Sequence, residues 1–186
     1  PAPPVSSAEP AAPTPPDPAG PAVLPPLTAP YDTVLGFHGT GKVAYLTFDD
    51  GPSRYTGQLL DILAAAGVKA TFCQIGSQLG DYPDTERRLI GDGHTLCNHS
   101  WTHPVNIAAL PAADIDQQIG RTQQALAGLG VTARYFRAPG GDFGVTTTTL
   151  RQICQQHQTR PLGWAVDPQD WKKPGVTKIV QTVLST

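Results

Sequence analysis

No stretch of this sequence is apolar for long enough to cross a bilayer, which takes about 20 residues. Neither sign of charge is in excess. Thirteen Lys and Arg stand against 15 Asp and Glu, a net charge of -2. That balance offers no electrostatic footing for nucleic acid or for an anionic membrane surface. The opening residues, Pro1-Ala2-Pro3-Pro4, lack the basic lead and apolar core of a secretory signal and suit a mature or trimmed chain. Cysteine is scarce. The three, Cys73, Cys97 and Cys154, are odd in number, so at least one thiol is unpaired or paired outside this chain. Cys73 and Cys97 fall on neighbouring expected strands, where a disulfide and a pair of buried thiols are both open.

Proline, by contrast, is abundant, with 20 in all, many of them in residues 1–30 among Ala, Ser and Thr. Such a composition cannot bury a core and favours extended, polyproline-type conformations. Residues 1–30 are therefore expected to be a disordered linker. It would act as a spacer from an anchor or through a cell wall, with a cloned remnant as the alternative. Residues 31–186 are long enough for one domain.

From Val43 onward, strand and helix signals alternate. Strands are expected at Val43–Phe48, Lys69–Ile75, His94–Asn98, Arg134–Arg137 and Leu162–Val166. Thr56 can cap a helix that places Leu59, Leu60, Leu63 and Ala66 on one face and ends at Gly67. A short helix with Pro83 in its first turn should end by Gly91 or Gly93. Pro111 opens a longer one with Ile115, Ile119, Thr122 and Leu126 as its stripe, ending by Gly128 or Gly130. Residues 146–157 and 176–185 read as two more helices. Repeated units of this length imply an α/β fold with a parallel sheet. The chemically capable residues come just after strands, so they should share one edge of that sheet, the active-site face of a barrel.

Those residues form four groups. In Thr47-Phe48-Asp49-Asp50-Gly51-Pro52, two adjacent carboxylates close a strand. They repel each other unless a cation sits beside them, although an Asx-turn at Asp50 also fits. In His99-Ser100-Trp101-Thr102-His103, two imidazoles stand four apart, which on a helical turn would place them on one face. Asp50, His99 and His103 together make two nitrogens and an oxygen, the donor set of an open catalytic zinc-type site. Arg137-Ala138-Pro139-Gly140 and Asp167-Pro168-Gln169-Asp170-Trp171 follow.

In this order, the four groups resemble the first four motifs of the polysaccharide deacetylases, the metal-dependent carbohydrate esterases of family 4 with a NodB-homology domain. The resemblance covers roughly residues 42–186. It implies an irregular parallel (β/α) barrel with fewer than eight strands. It also implies one divalent ion, zinc first with cobalt or nickel as substitutes, held by Asp50, His99 and His103. By the same resemblance Asp49 is the general base and Arg137 orients it. Pro139, Gly140 and Trp171 meet the substrate, with Trp171 lining a pocket for the acetyl methyl. The implied substrate is an acetylated polysaccharide, N-acetylglucosamine of chitin or peptidoglycan, with O-acetyl xylan as the rival. The implied place of action is outside the cell or at its wall, and the expected state is a monomer.

Two departures qualify the resemblance. Gly140 stands where the family usually has Tyr. Its N–H can still serve an oxyanion, but an aromatic wall is lost. The fifth motif, Leu-x-x-His-Asp, whose His is the general acid that Asp170 would orient, does not occur in these 186 residues. His157 sits on an expected helix in the wrong order to replace it, and His38 and His94 have no motif context. A C-terminally incomplete catalytic domain is the expectation, which leaves a catalytically weak glycan-binding domain as the alternative function.

Overall fold

The computed structural model describes residues 44–144 and 147–185. The proline-rich segment 1–30, His38 and Val43 lie outside the described residues. Five strands, β1 (Thr47–Gly51), β2 (Thr71–Gln74), β3 (Thr95–Asn98), β4 (Tyr135–Phe136) and β5 (Arg160–Pro161), pair in sequence order, every pair parallel. Helices α1 (Thr56–Ala65), α2 (Pro83–Gly91), α3 (Ala112–Gly128) and α4 (Thr149–Gln156) alternate with the strands, and α5 (Val176–Leu184) comes last. This is the topology of a (β/α) barrel with fewer than eight strands.

Strand alternation decides what each face carries. Phe72 on β2 and Leu96 on β3 point outward into a core shared with Leu60 and Leu63 of α1, Leu89 of α2 and Leu126 of α3. A second cluster joins Phe136 of β4 to Ile115 and Ile119 of α3 and Leu150 and Ile153 of α4. The stripe expected on α3, Ile115, Ile119, Thr122 and Leu126, is the face it buries. On α1 the buried face is narrower than expected: Leu60 and Leu63 are buried, whereas Ala66 is exposed. Thr56 is the first residue of α1 rather than its cap. Its hydroxyl accepts from the Ser53 N–H at 2.9 Å, and Tyr55 holds the cap position.

The opposite face of the sheet carries Cys73 and Cys97, register partners on β2 and β3. All three cysteines are free, buried thiols. Burial first, and then hydrogen bonding to Cys97, push the Cys73 thiol far above its usual value, so it stays protonated and inert.

β2 and β4 are shorter than the strands expected there, and two further strands differ in placement, each for a local reason. β1 starts at Thr47 and runs on through the Asp pair, so Asp49 and Asp50 lie in the strand rather than after it. Its register slips between Phe48 and Gly51, where β1 has one residue more than β2. The strand expected at Leu162–Val166 is instead at Arg160–Pro161. The carbonyls of Leu162 and Gly163, which a strand would offer to a neighbour, accept from the Arg137 guanidinium at 3.3 and 2.9 Å.

One buried group on α2 sets a pH dependence. Glu86 is 0% exposed, and neither carboxylate oxygen has a hydrogen-bond partner among the described residues. Burial raises its carboxyl to about 7 from an ordinary 4.5. The folded state therefore keeps the proton that the unfolded chain gives up above 4.5. The resulting stability is complete below pH 4.5 and disappears as pH rises through 7. Glu86→Gln should remove this loss. In urea melts, the variant should gain on wild type by on the order of 3 kcal/mol between pH 4.5 and 8. A difference that stays flat across that range would show Glu86 to be solvated.

Candidate active site

The register slip in β1 makes this site possible. In a regular strand, adjacent residues point to opposite faces. The extra residue in β1, a bulge with Asp50 at φ 66°, re-aims the chain so that both carboxylates line one cleft. The cleft has a volume of about 490 Å³ and lies at the carboxyl ends of the strands.

Asp50 and the two histidines converge there. Asp50 Oδ1 lies 3.2 Å from His99 Nε2 and 3.0 Å from His103 Nε2. One donor atom from each of the three falls within 4.8 Å of the others. The histidines do not sit on a helical turn. They lie on the loop after β3, which is folded back by left-handed backbone at Ser100 (φ 66°) and His103 (φ 58°). Neither residue is glycine, so the usual sequence mark of such a turn is missing. Asn98 Oδ1 accepts from the Ser100 N–H at 2.9 Å, and Ser100 Oγ accepts from the His103 N–H at 3.0 Å.

The protonation of this trio suits a divalent ion. His99 is 2% exposed, and its Nδ1 lies 2.7 Å from the Arg137 carbonyl oxygen, which can only accept. Nδ1 therefore carries a proton, which leaves Nε2, on the Asp50 side, as the ring nitrogen available to a metal. Burial lowers the His103 imidazole below its usual value, against the opposing charge of Asp50, which favours the neutral ring. The hydrogen bond from His99 holds the Asp50 carboxyl below the ordinary carboxylate range, against the opposing effect of burial. With both rings neutral, His99, His103 and the Asp50 carboxylate would make an N,N,O donor set for a divalent ion such as zinc.

Asp49 belongs to a second unit. Arg137, 1% exposed at the end of β4, donates through Nη1 to Asp49 Oδ1 at 2.7 Å and to Thr47 Oγ1 at 2.8 Å. With Nε and Nη2 committed to the Leu162 and Gly163 carbonyls, the guanidinium is fixed in place. Asp49 Oδ1 is thereby engaged, and the rest of the carboxylate faces the cleft.

The other anticipated residues are spread around this centre. Gly140, at φ 66°, and Asp170 line the cleft. Trp171 is at its rim, 70% exposed, and so is no core tryptophan. Pro139 is buried and does not line the cleft. His157 is far from it in function, bonding Asp116 at 2.7 Å, and His94 Nδ1 accepts from the Ala70 N–H at 3.1 Å. Sequence reasoning missed Trp164, which lines the cleft with its ring 5.5 Å from the Arg137 guanidinium. A side chain at Gly141 would meet that ring, its Cβ only 2.5 Å from Trp164 Cη2, so this glycine gives the indole its place. The Gly140-Gly141 pair was the available signal, since paired glycines mark a close approach.

Comparison with known proteins gives a consistent set of relatives. The family model described as polysaccharide deacetylase matches residues 38–161. A chitooligosaccharide deacetylase of Rhizobium leguminosarum bv. trifolii is 38% identical over 144 residues, which is 76% of this chain and 65% of that protein. A peptidoglycan-N-acetylglucosamine deacetylase of Bacillus cereus is 33% identical over 151 residues, 80% of this chain and 53% of that protein. The chain thus spans about half to two thirds of the length of these relatives. Among solved structures, a family 4 carbohydrate esterase from Streptomyces lividans in complex with acetate superposes with a TM-score of 0.70. The two are 40% identical, over 75% of this chain and 71% of that one.

Proposed function

The chain belongs to the polysaccharide deacetylase family, and on that premise we propose that it is a metal-dependent hydrolase. It removes acetyl groups from a polysaccharide, N-acetylglucosamine of chitin-type chains or peptidoglycan. The observation that carries this reading is the convergence of Asp50, His99 and His103 beside the Arg137-bound Asp49 in one cleft. The names of the relatives supply the substrate class. The proposed place of action is outside the cell, at wall or chitin-type polymer, with residues 1–30 as the spacer.

In this reading Asp50, His99 and His103 would hold one divalent ion, zinc by the donor set. The chemistry it supplies is Lewis acidity toward an acetyl carbonyl and a water. Asp49 would be the residue that accepts the proton of the attacking water. The Arg137 clamp leaves its carboxylate no freedom to turn away, so the acceptor is in position before substrate arrives. The Gly140 backbone borders the space where the carbonyl oxygen gains charge. Trp164 and Trp171 offer aromatic faces to the sugar, and Asp170 stands ready to orient a general acid.

Acetate release from N-acetylglucosamine oligomers, peptidoglycan and acetyl xylan, with zinc present and after chelation, tests the reading. Release from the N-acetyl substrates that stops on chelation is expected. Release from acetyl xylan alone would replace the N-acetyl assignment. Glycan binding without any release would make the domain a lectin-like module.

A further inference from the structure

We propose that Gln118 of α3 is a positioning residue of the metal site, holding the loop that carries His103 and so setting metal affinity without touching the metal. This rests on the reading of Asp50, His99 and His103 as ligands.

The two histidines are held in different ways. The His99 ring is tied through Nδ1 to the Arg137 carbonyl. Among the described residues the His103 ring has no such tie to a neighbouring strand; its backbone hydrogen bond is to its own main chain, so the ring is positioned through its own backbone. That backbone is in a conformation which L residues adopt at a cost, with positive φ at both Ser100 and His103. Something must hold it there.

The polar groups of the loop show what does. The Ser100 and Trp101 carbonyls accept from the Gly76 and Ser77 N–H groups at 2.9 and 3.0 Å. The Trp101 and Thr102 N–H groups both donate to one atom, Gln118 Oε1, each at 2.9 Å. Gln118 Nε2 donates in turn to Thr102 Oγ1 at 2.9 Å. A single half-buried side chain thus satisfies two successive backbone donors at the crest of the loop, immediately before His103. The same face of α3 supports it further, with the Arg121 guanidinium 4.2 Å from the Trp101 ring centre. Without an acceptor at 118, the two N–H groups lose their shared anchor, and the turn that brings His103 Nε2 to Asp50 can relax.

The experiment is a zinc titration against a chromophoric chelator, on wild type and four variants, below the lowest melting temperature of the set. Gln118→Leu removes the acceptor, and Gln118→Asn keeps the amide but withdraws it by one methylene. Both should bind Zn²⁺ about 10–100-fold more weakly, as for loss of a group that orients a ligand. Gln118→Glu keeps an oxygen acceptor and should stay within about threefold, losing only the amide donor, in whose place the Thr102 hydroxyl can donate to the carboxylate. Gln117→Leu, at the exposed neighbour, should bind as wild type does. A merely structural role would lower the melting temperature but leave the affinity of the folded protein unchanged. Wild-type affinity in both the Leu and Asn variants would overturn the proposal, as would a Glu variant as weak as Leu. If wild type itself takes up no zinc, the ligand reading fails and this inference falls with it.

Discussion

Asp49→Asn should keep its metal and lose activity by a factor on the order of 10² or more, the usual contribution of a general base. The substitution preserves size and one acceptor oxygen, so Arg137 can still bond at Oδ1, and the guanidinium retains Thr47, Leu162 and Gly163 as partners. What disappears is the ability to accept a proton. Because Asp49 lies outside the trio that can hold an ion, zinc content after dialysis should match wild type. KM should move little while kcat falls, since the proton is transferred only in the reaction itself. Loss of metal together with activity would move Asp49 from base to ligand.

The second large effect is expected at His99. His99→Ala removes one of three protein ligands. Structural zinc sites with four ligands bind with about 10–16 kcal/mol, so one ligand is worth roughly 3–4 kcal/mol, or about 10²–10³ in affinity. The vacated position is buried and still bordered by the Arg137 carbonyl, which loses the partner it now has. A few degrees of thermal stability should go as well. After dialysis, metal analysis should find the variant nearly empty and the His157→Ala control, whose imidazole pairs with Asp116 instead, at wild-type content. Equal metal in His99→Ala and wild type would show the ligand set to be wrong.

Much of this arrangement was legible from residue order alone. The alternation of strand and helix carried the parallel sheet, and Ile115, Ile119, Thr122 and Leu126 marked the buried face of α3 without error. Asp50, His99 and His103 were named as one group, and the structure brings them together. What sequence could not carry was set by partners distant along the chain. Arg137 draws the Leu162 and Gly163 carbonyls away from strand pairing, which displaces β5 toward the amino terminus. The His99–His103 spacing suggested a helical turn because a four-residue interval fits one. The actual loop depends on left-handed Ser100 and His103; Asn98 supports it locally, but Gln118, which bonds the Trp101 N–H from 17 residues away, does not show in the local sequence. The bulge in β1 is equally silent, since Asp49-Asp50 reads the same in a regular strand as in a slipped one.

The bonds of Arg137 have a further meaning for how the molecule comes together. Its partners Thr47 and Asp49 are 90 and 88 residues away, and Leu162 and Gly163 are 25 and 26 residues away on the other side. Contacts this far apart form only after the loop-closure entropy between them has been offset by the helices and strands in between. Asp49 can be oriented only in a chain whose first, fourth and fifth strands already lie in place. A nascent or locally opened chain can present every reactive group and still be unable to use them together. Arg137 thus makes competence for chemistry contingent on completed assembly.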